Sequence, residues 1–161
     1  MIDSVELTHY GAAGAEDQRD DLTALYETVW LSGLKNTDPF YSRERFVDRL
    51  RGHLAAPGFE LVTARFDQQL IGYMYGFSRM GERFAVCELM VLPDYRRRGI
   101  AKRLHDELLG ARSEPSAELL VEKENAPAQA AYRSWGWHKA GDRQPFADAP
   151  NYDVMVIGLE E

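Results

Sequence analysis

Arg96, Arg97 and Arg98 stand together directly before Gly99, and Lys102 and Arg103 follow one helical turn later. Five of the nineteen basic side chains therefore lie in eight residues of a chain whose net charge is -7. If a helix starts at Ile100, the N–H groups of its first turn have no partners inside the helix and point at whatever sits in front of it. Gly99 has no side chain to hold a ligand away from that backbone. Such a turn is an anion site, and at about 1.5 to 3 kcal/mol per charge-assisted hydrogen bond it would hold a pyrophosphate even on an acidic protein. The common phosphate loops are absent: there is no Gly-x-x-x-x-Gly-Lys-Ser/Thr and no Gly-x-Gly-x-x-Gly. The second chemical candidate is Glu88. Strand alternation puts it on one face with Phe84, Val86 and Met90, so a carboxylate stands among apolar neighbours. Desolvation there would raise its pKa and make it a better base.

The elements that must position these groups follow from hydrophobic period. Phe84 to Leu92 reads as a strand closed by Pro93, and Ile100, Leu104 and Leu108 recur at helical spacing through Ala111. A strand thus runs through the basic turn into an amphipathic helix. Upstream, Ser4 to His9 reads as a short strand, Gly11 to Gly14 as a small-residue turn and Glu16 to Leu31 as one helix. Gly33 to Ser42 reads as a loop, and Arg43 to Leu54 as a second helix with Phe46, Val47, Leu50 and Leu54 on one face. Phe59 to Phe66 and Gln69 to Phe77 form a hairpin through Asp67-Gln68, which feeds through Met80-Gly81-Glu82 into the central strand. Downstream, Ala117 to Glu122 reads as a short apolar strand buried on both faces. A helix follows from Ala126 to about Trp135, ended by Gly136. Trp137 to Ala140 and Tyr152 to Leu159 read as a last pair of strands. This order predicts one α/β domain over residues 1–161, with a mixed sheet of about seven strands and helices on both faces.

Composition narrows the function classes. A chain of 161 residues with 45% hydrophobic and 28% charged residues suits a single globular domain. No apolar run is long enough to span a membrane, and residues 1–6 lack the pattern of a secretory signal. The single cysteine, Cys87, has no internal partner, which agrees with a reducing, cytoplasmic setting. Alternation places it opposite Glu88, as a small core residue. The basic cluster is too local for a nucleic-acid binder, whose basic surface is broad. His9, His53, His105 and His138 show no ligand spacing, so no metal site is expected.

The string Val91-x-Pro93 followed by Arg96-x-x-Gly99-x-Ala101 resembles the acyl-CoA pyrophosphate loop of the GNAT superfamily of N-acyltransferases. A second string lies about thirty residues further on: Asn125-x-x-Ala128, then Tyr132, then Gly136-Trp137. It resembles that superfamily's second signature, with Trp137 where phenylalanine is common and Ala101 where the loop often has a second glycine. The order of elements is also that of the GNAT fold. The resemblance implies an N-acetyltransferase that takes acetyl-CoA as co-substrate and a primary amine of a small molecule or peptide as acceptor. Charge, apolar runs and histidine spacing predict no nucleic acid, no membrane and no metal, and the resemblance implies a possible homodimer. It further implies that Arg96, Arg97, Arg98, Gly99, Ile100, Ala101 and Lys102 cradle the pyrophosphate, largely through backbone amides. Met90 and Val91 would set backbone groups beside the acyl carbonyl and thioester. Asn125 and Ala128 would contact or make room for the pantetheine arm, and Tyr132 would protonate the departing thiolate.

An amine nucleophile of pKa near 10.4 must be held neutral, at about 4.6 kcal/mol at pH 7, so an acceptor for its proton is expected. Glu88 is the candidate from pattern, against the plainer reading that it pairs with an arginine or binds substrate. Trp30, Tyr41, Tyr73, Tyr75 and Phe146 could wall an acceptor pocket or fill the core, and Arg133 could meet the 3'-phosphate of CoA. The competing class is a non-catalytic acyl-CoA-binding sensor. Tyr132 argues against it, since a pure binding module needs no acid beside the sulfur.

Overall fold

In the computed structural model, which describes residues 4–30 and 38–159, seven strands form one sheet. They are β1 (Glu6–Tyr10), β2 (Glu60–Phe66), β3 (Gln69–Arg79), β4 (Arg83–Val91), β5 (Ser116–Glu122), β6 (His138–Arg143) and β7 (Tyr152–Gly158). Their spatial order is β1-β2-β3-β4-β5-β7-β6, and only β4 and β5 run parallel. Helices α1 (Ala12–Asp17), α2 (Arg19–Trp30) and α3 (Arg43–Leu54) are built around one core cluster with β2, β3 and Met90 of β4. Helix α4 (Ile100–Gly110) anchors the other core, against which α5 (Ala126–Ser134) packs Ala128 and Tyr132. The expected mixed sheet of seven strands with helices on both faces is present. Among the described residues no helix is long and apolar enough to cross a membrane.

Four local expectations change. The helix read over 16–31 is two helices that part at Gln18, whose backbone N–H bonds Ala15 O and Glu16 O; Leu31 lies outside the described residues. The small residues 11–14 are not a turn, because Gly11 caps α1 and Ala12–Gly14 are helical. Their smallness serves close packing: a Cβ on Gly14 would sit 3.0 Å from the Tyr10 ring. The loop read over 33–42 includes a 3-10 turn at Pro39–Tyr41, capped by Asp38; its residues 33–37 lie outside the described residues. Strand β5 is interrupted by Glu118, which is 5% exposed and salt-bridged, so it is not apolar throughout.

Two features of β4 create the site. Its pairing with β5 runs from Arg83↔Ser116 to Val86↔Leu119 and stops, although β4 continues to Val91 and β5 to Glu122. The sheet is therefore parted along its middle. On the other side the register with β3 jumps from Gly76↔Val86 to Tyr75↔Glu88, leaving Cys87 as the extra residue of a bulge. Gly76 permits it: a Cβ there would meet Ala85 O at 2.3 Å and the Phe84 ring at 2.8 Å.

Candidate active site

The bulge corrects the alternation expected of β4. Phe84 and Val86 pack in the α4 core, whereas Glu88 and Met90 pair with Tyr75 and Tyr73 and face α2 and α3. Cys87 packs on that second side as well and so shares a face with Glu88 instead of opposing it. Cys87 is partly buried, and desolvation pushes its thiol up, which fits an unreactive packing residue.

A cavity of about 570 Å³ opens where β4 and β5 part. Val86 and Leu89, which pack on the α4 side, line it together with Cys87 and Glu88 from the other side, so it reaches through the gap in the sheet. Helix α5 contributes Ala128 and Tyr132, and Asn125 stands at its start. The structure thus brings Glu88, Asn125, Ala128 and Tyr132 to one space. The Asn125 side chain accepts a hydrogen bond from Ala128 N at 3.2 Å, so it caps α5 as it borders the cavity.

Electrostatics there are set mainly by desolvation. Burial pushes the Glu88 carboxyl up to about 7, with Arg49 pulling the other way. Burial and the charge of Glu88 push the Tyr132 phenol up to about 12, so it stays protonated at neutral pH and can donate. Arg49 is fixed by α3: it donates to Phe40 O at 2.9 Å and to the Tyr26 hydroxyl at 3.5 Å, and that hydroxyl donates to Tyr41 O at 2.8 Å. His53, one turn on from Arg49, is lowered to about 4 by burial and by Arg49, so it is neutral at pH 7. The Tyr41 hydroxyl donates to Glu122 at the end of β5.

The aromatic candidates divide. Tyr73 and Tyr75 are wholly buried core. Trp30, Tyr41 and Phe146 line the cavity, with the Trp30 and Tyr41 rings stacked at 5.3 Å. Arg49, His53, Glu122 and Tyr152 also line it and had not been singled out for this site. The signal for Arg49 and His53 was present: with Phe46 they fall at helical spacing on the face of α3 that also carries buried Leu50 and Leu54.

The basic turn lies past this cavity, at the C-terminal end of β4. Gly99 caps α4 with φ +79; among the described residues there is no side-chain cap hydrogen bond there, and none has an atom within 4 Å of where a Cβ would be, its own neighbours aside. Arg97 also has positive φ, +64. Most of the basic side chains turn back onto the protein. Arg96 Nε donates to Val91 O at 3.2 Å, Arg98 lies over the Tyr95 ring, and Lys102 pairs with Asp106 at 2.7 Å. Ile100 is buried in the α4 core, so it can offer a ligand only its backbone. The side chains of Met90 and Val91 are likewise core, one on each face of the sheet. What the turn presents is a row of uncapped amides at a helix start, open to an anion.

Residues 31–150 match the family model described as an acetyltransferase (GNAT) domain. The N-alpha-acetyltransferase RimI of Mycobacterium tuberculosis is 37% identical over 108 residues, which cover 65% of this chain and 68% of that protein. An uncharacterized protein of Mycobacterium leprae is 34% identical over 103 residues, 62% of this chain; the match spans 28% of that relative's length. The PaiA N-acetyltransferase of Thermoplasma acidophilum, solved in complex with coenzyme A, aligns with a TM-score of 0.70 over 96% of this chain and 99% of that one. At 15% identity that likeness is one of fold.

Proposed function

The chain belongs to the GNAT acetyltransferase family, and on that premise we propose that it transfers the acetyl group of acetyl-CoA to a primary amine, the α-amine of a peptide above all. The residues fit the co-substrate. The uncapped amides of α4 and the open Gly99 would take the pyrophosphate, and Asn125 and Ala128 border the gap through which a pantetheine arm would pass. Acetyl-CoA supplies an activated acyl thioester: nitrogen bonds to the carbonyl carbon as the carbon–sulfur bond breaks. Glu88 takes the proton that the amine sheds, and Tyr132 gives its phenolic proton to the sulfur. Solvent exchange then resets both groups.

The observation that carries this reading is the Glu88 carboxyl, raised to about 7 in the floor of the same cavity that Tyr132 borders. It also favours one acceptor. An α-amine has a pKa of about 7.7 to 8.0, so its proton passes to Glu88 at a cost of roughly 1 kcal/mol. A lysine ε-amine near 10.4 would face about 4.6 kcal/mol. The RimI relative is named for action at an α-amine, which agrees.

The test is a pH profile of kcat on a panel of peptide α-amines, with Glu88→Gln and Tyr132→Phe beside wild type. Wild type should lose rate as pH falls through about 7, where Glu88 takes up its proton. Glu88→Gln should lower kcat by about 10² and flatten that limb while acetyl-CoA affinity stays unchanged. A limb that survives the substitution removes Glu88 as base. Acetyl-CoA binding without transfer to any amine would turn the reading to a sensor.

A further inference from the structure

The end of the cavity away from Tyr41 and Glu122 has a charge arrangement that acetyl transfer itself does not use. Glu118 projects from β5 on the same face as Ala85, its neighbour on β4, and three arginines converge on its carboxylate. Arg79 of β3 donates to Oε2 at 2.7 Å, Arg143 of β6 to the same oxygen at 3.1 Å, and Arg83 to Oε1 at 3.4 Å. Burial pushes the Glu118 carboxyl up, but Arg143 and Arg79 outweigh it and hold it below its ordinary value. It is ionised at neutral pH and neutralises one guanidinium of the three.

Two positive charges remain in excess. Glu118, Arg79 and Arg143 line the cavity, while Arg83 holds the carboxylate from outside it. Among the described residues these arginines form no other salt bridge. His53, which borders the same cavity, stays neutral at pH 7 and adds no charge. The excess is notable in a chain whose net charge is -7, and the side chains of Arg79 and Arg143 are 47% and 37% exposed, each bonded to Glu118 through one terminal nitrogen. Along β4 the cluster lies beside Ala85, three residues before Glu88. Cys87 is the extra residue of the bulge, so the two positions are two ladder steps apart, Phe77 to Tyr75 on β3, or roughly 7 Å at about 3.3 Å per step, the length of an extended dipeptide.

We propose that this end of the cavity is an anion subsite for the acceptor, in which Arg79 and Arg143 bind a carboxylate that the acceptor carries roughly 7 Å from its reactive nitrogen. The class of acceptor it fits is a short peptide with a free C-terminus, or a longer one with an acidic side chain at that distance. Glu118 is the positioning residue, since it gathers the guanidinium groups at one point. This inference rests on the amine-acetylation reading for the position of the nitrogen.

The experiment is calorimetric titration of the CoA-saturated protein with the dipeptide Ala-Ala and with its C-terminal amide, followed by acetylation assays on both. Wild type should bind the free acid about tenfold more tightly than the amide, the size of one charge-assisted contact. Arg79→Gln and Arg143→Gln should each shrink that preference to about threefold or less and leave amide binding unchanged, and Arg143→Lys should keep part of it. Glu118 retains two arginine partners in each single variant, and thermal melts check that the fold is kept. Equal affinity for acid and amide, or binding of neither, overturns the subsite. A preference for the acid without acetyl transfer to either peptide would keep the anion site and count against acetyl transfer to peptide α-amines, so the two fail separately.

Discussion

The proposed donor and acceptor ends of the site are made in different ways. The turn before α4 offers an anion consecutive backbone amides, with Gly99 at φ +79 and most of the nearby basic side chains folded back on Val91, Tyr95 and Asp106. The acceptor end offers side chains instead: Arg49 and His53 from α3, Glu88 from β4, Glu118 and Glu122 from β5, Arg143 from β6. A backbone site depends on a few φ angles and tolerates many side chains. A side-chain site depends on residues far apart in sequence and can change its ligand one residue at a time.

The hardest way to break the donor end is therefore at its backbone. Gly99→Glu puts an L side chain into a left-handed conformation, at about 1 to 2 kcal/mol, and sets a carboxylate where the pyrophosphate would lie. The open space around Gly99 leaves room for the side chain, so the fold should survive. Acetyl-CoA affinity should fall by about 100-fold or more, as charge repulsion replaces several charge-assisted bonds. Titration of both proteins with acetyl-CoA checks this. A variant that binds as wild type would show that the backbone of this turn does not hold the co-substrate.

Legibility in the sequence follows the same division. The anion turn, the strand before it and the helix after it are contiguous, so period and residue type suffice to place them. Asn125 and Tyr132 come from one short segment, and both line the cavity. The bulge at Cys87 was not legible, because it depends on Gly76 lying against Ala85 O across the β3–β4 ladder, a contact that alternation within one strand does not report. The arginines around Glu118 were hidden for the same reason: Arg79, Arg83 and Arg143 look like solvated strand ends until β3, β4 and β6 are set around β5. The break at Gln18 escaped because the apolar positions continue in step across it and no proline or glycine marks it.

At the acceptor end, function and stability should oppose each other. The Glu88 carboxyl rises from its ordinary 4.5 to about 7 on folding, so the folded state holds that proton more tightly than the unfolded chain. Its contribution to stability is complete below about pH 4.5 and is lost as pH rises through about 7. Glu88→Gln, neutral at every pH, should then be more stable than wild type by about 1 to 3 kcal/mol at pH 8 and equal to it at pH 4. Urea melts at the two pH values check the sign. A difference that does not change with pH would mean that Glu88 is not held out of water, and with it the case for a base at this position would go.

The smallest effect is expected where neither end is touched. The β2–β3 hairpin turns through Asp67 at φ 52 and Gln68 at φ 68, between the paired residues Phe66 and Gln69. Both central residues are left-handed, as a two-residue hairpin of this hand requires, and the second position favours glycine. Gln68→Gly relieves about 1 kcal/mol of strain and gives back part of it by loosening the unfolded chain. The bond from Arg65 to Gln68 O is to backbone and survives the change. The net gain should be about 0.5 kcal/mol in a denaturant melt, with acetyl-CoA affinity and kcat unchanged. A loss of stability would show that the strain is already offset by the Gln68 side chain. A change in kcat would mean that the hairpin, which ends in the strand paired with Glu88, transmits its geometry along β3 to the base, and the acceptor end would then depend on backbone as the donor end does.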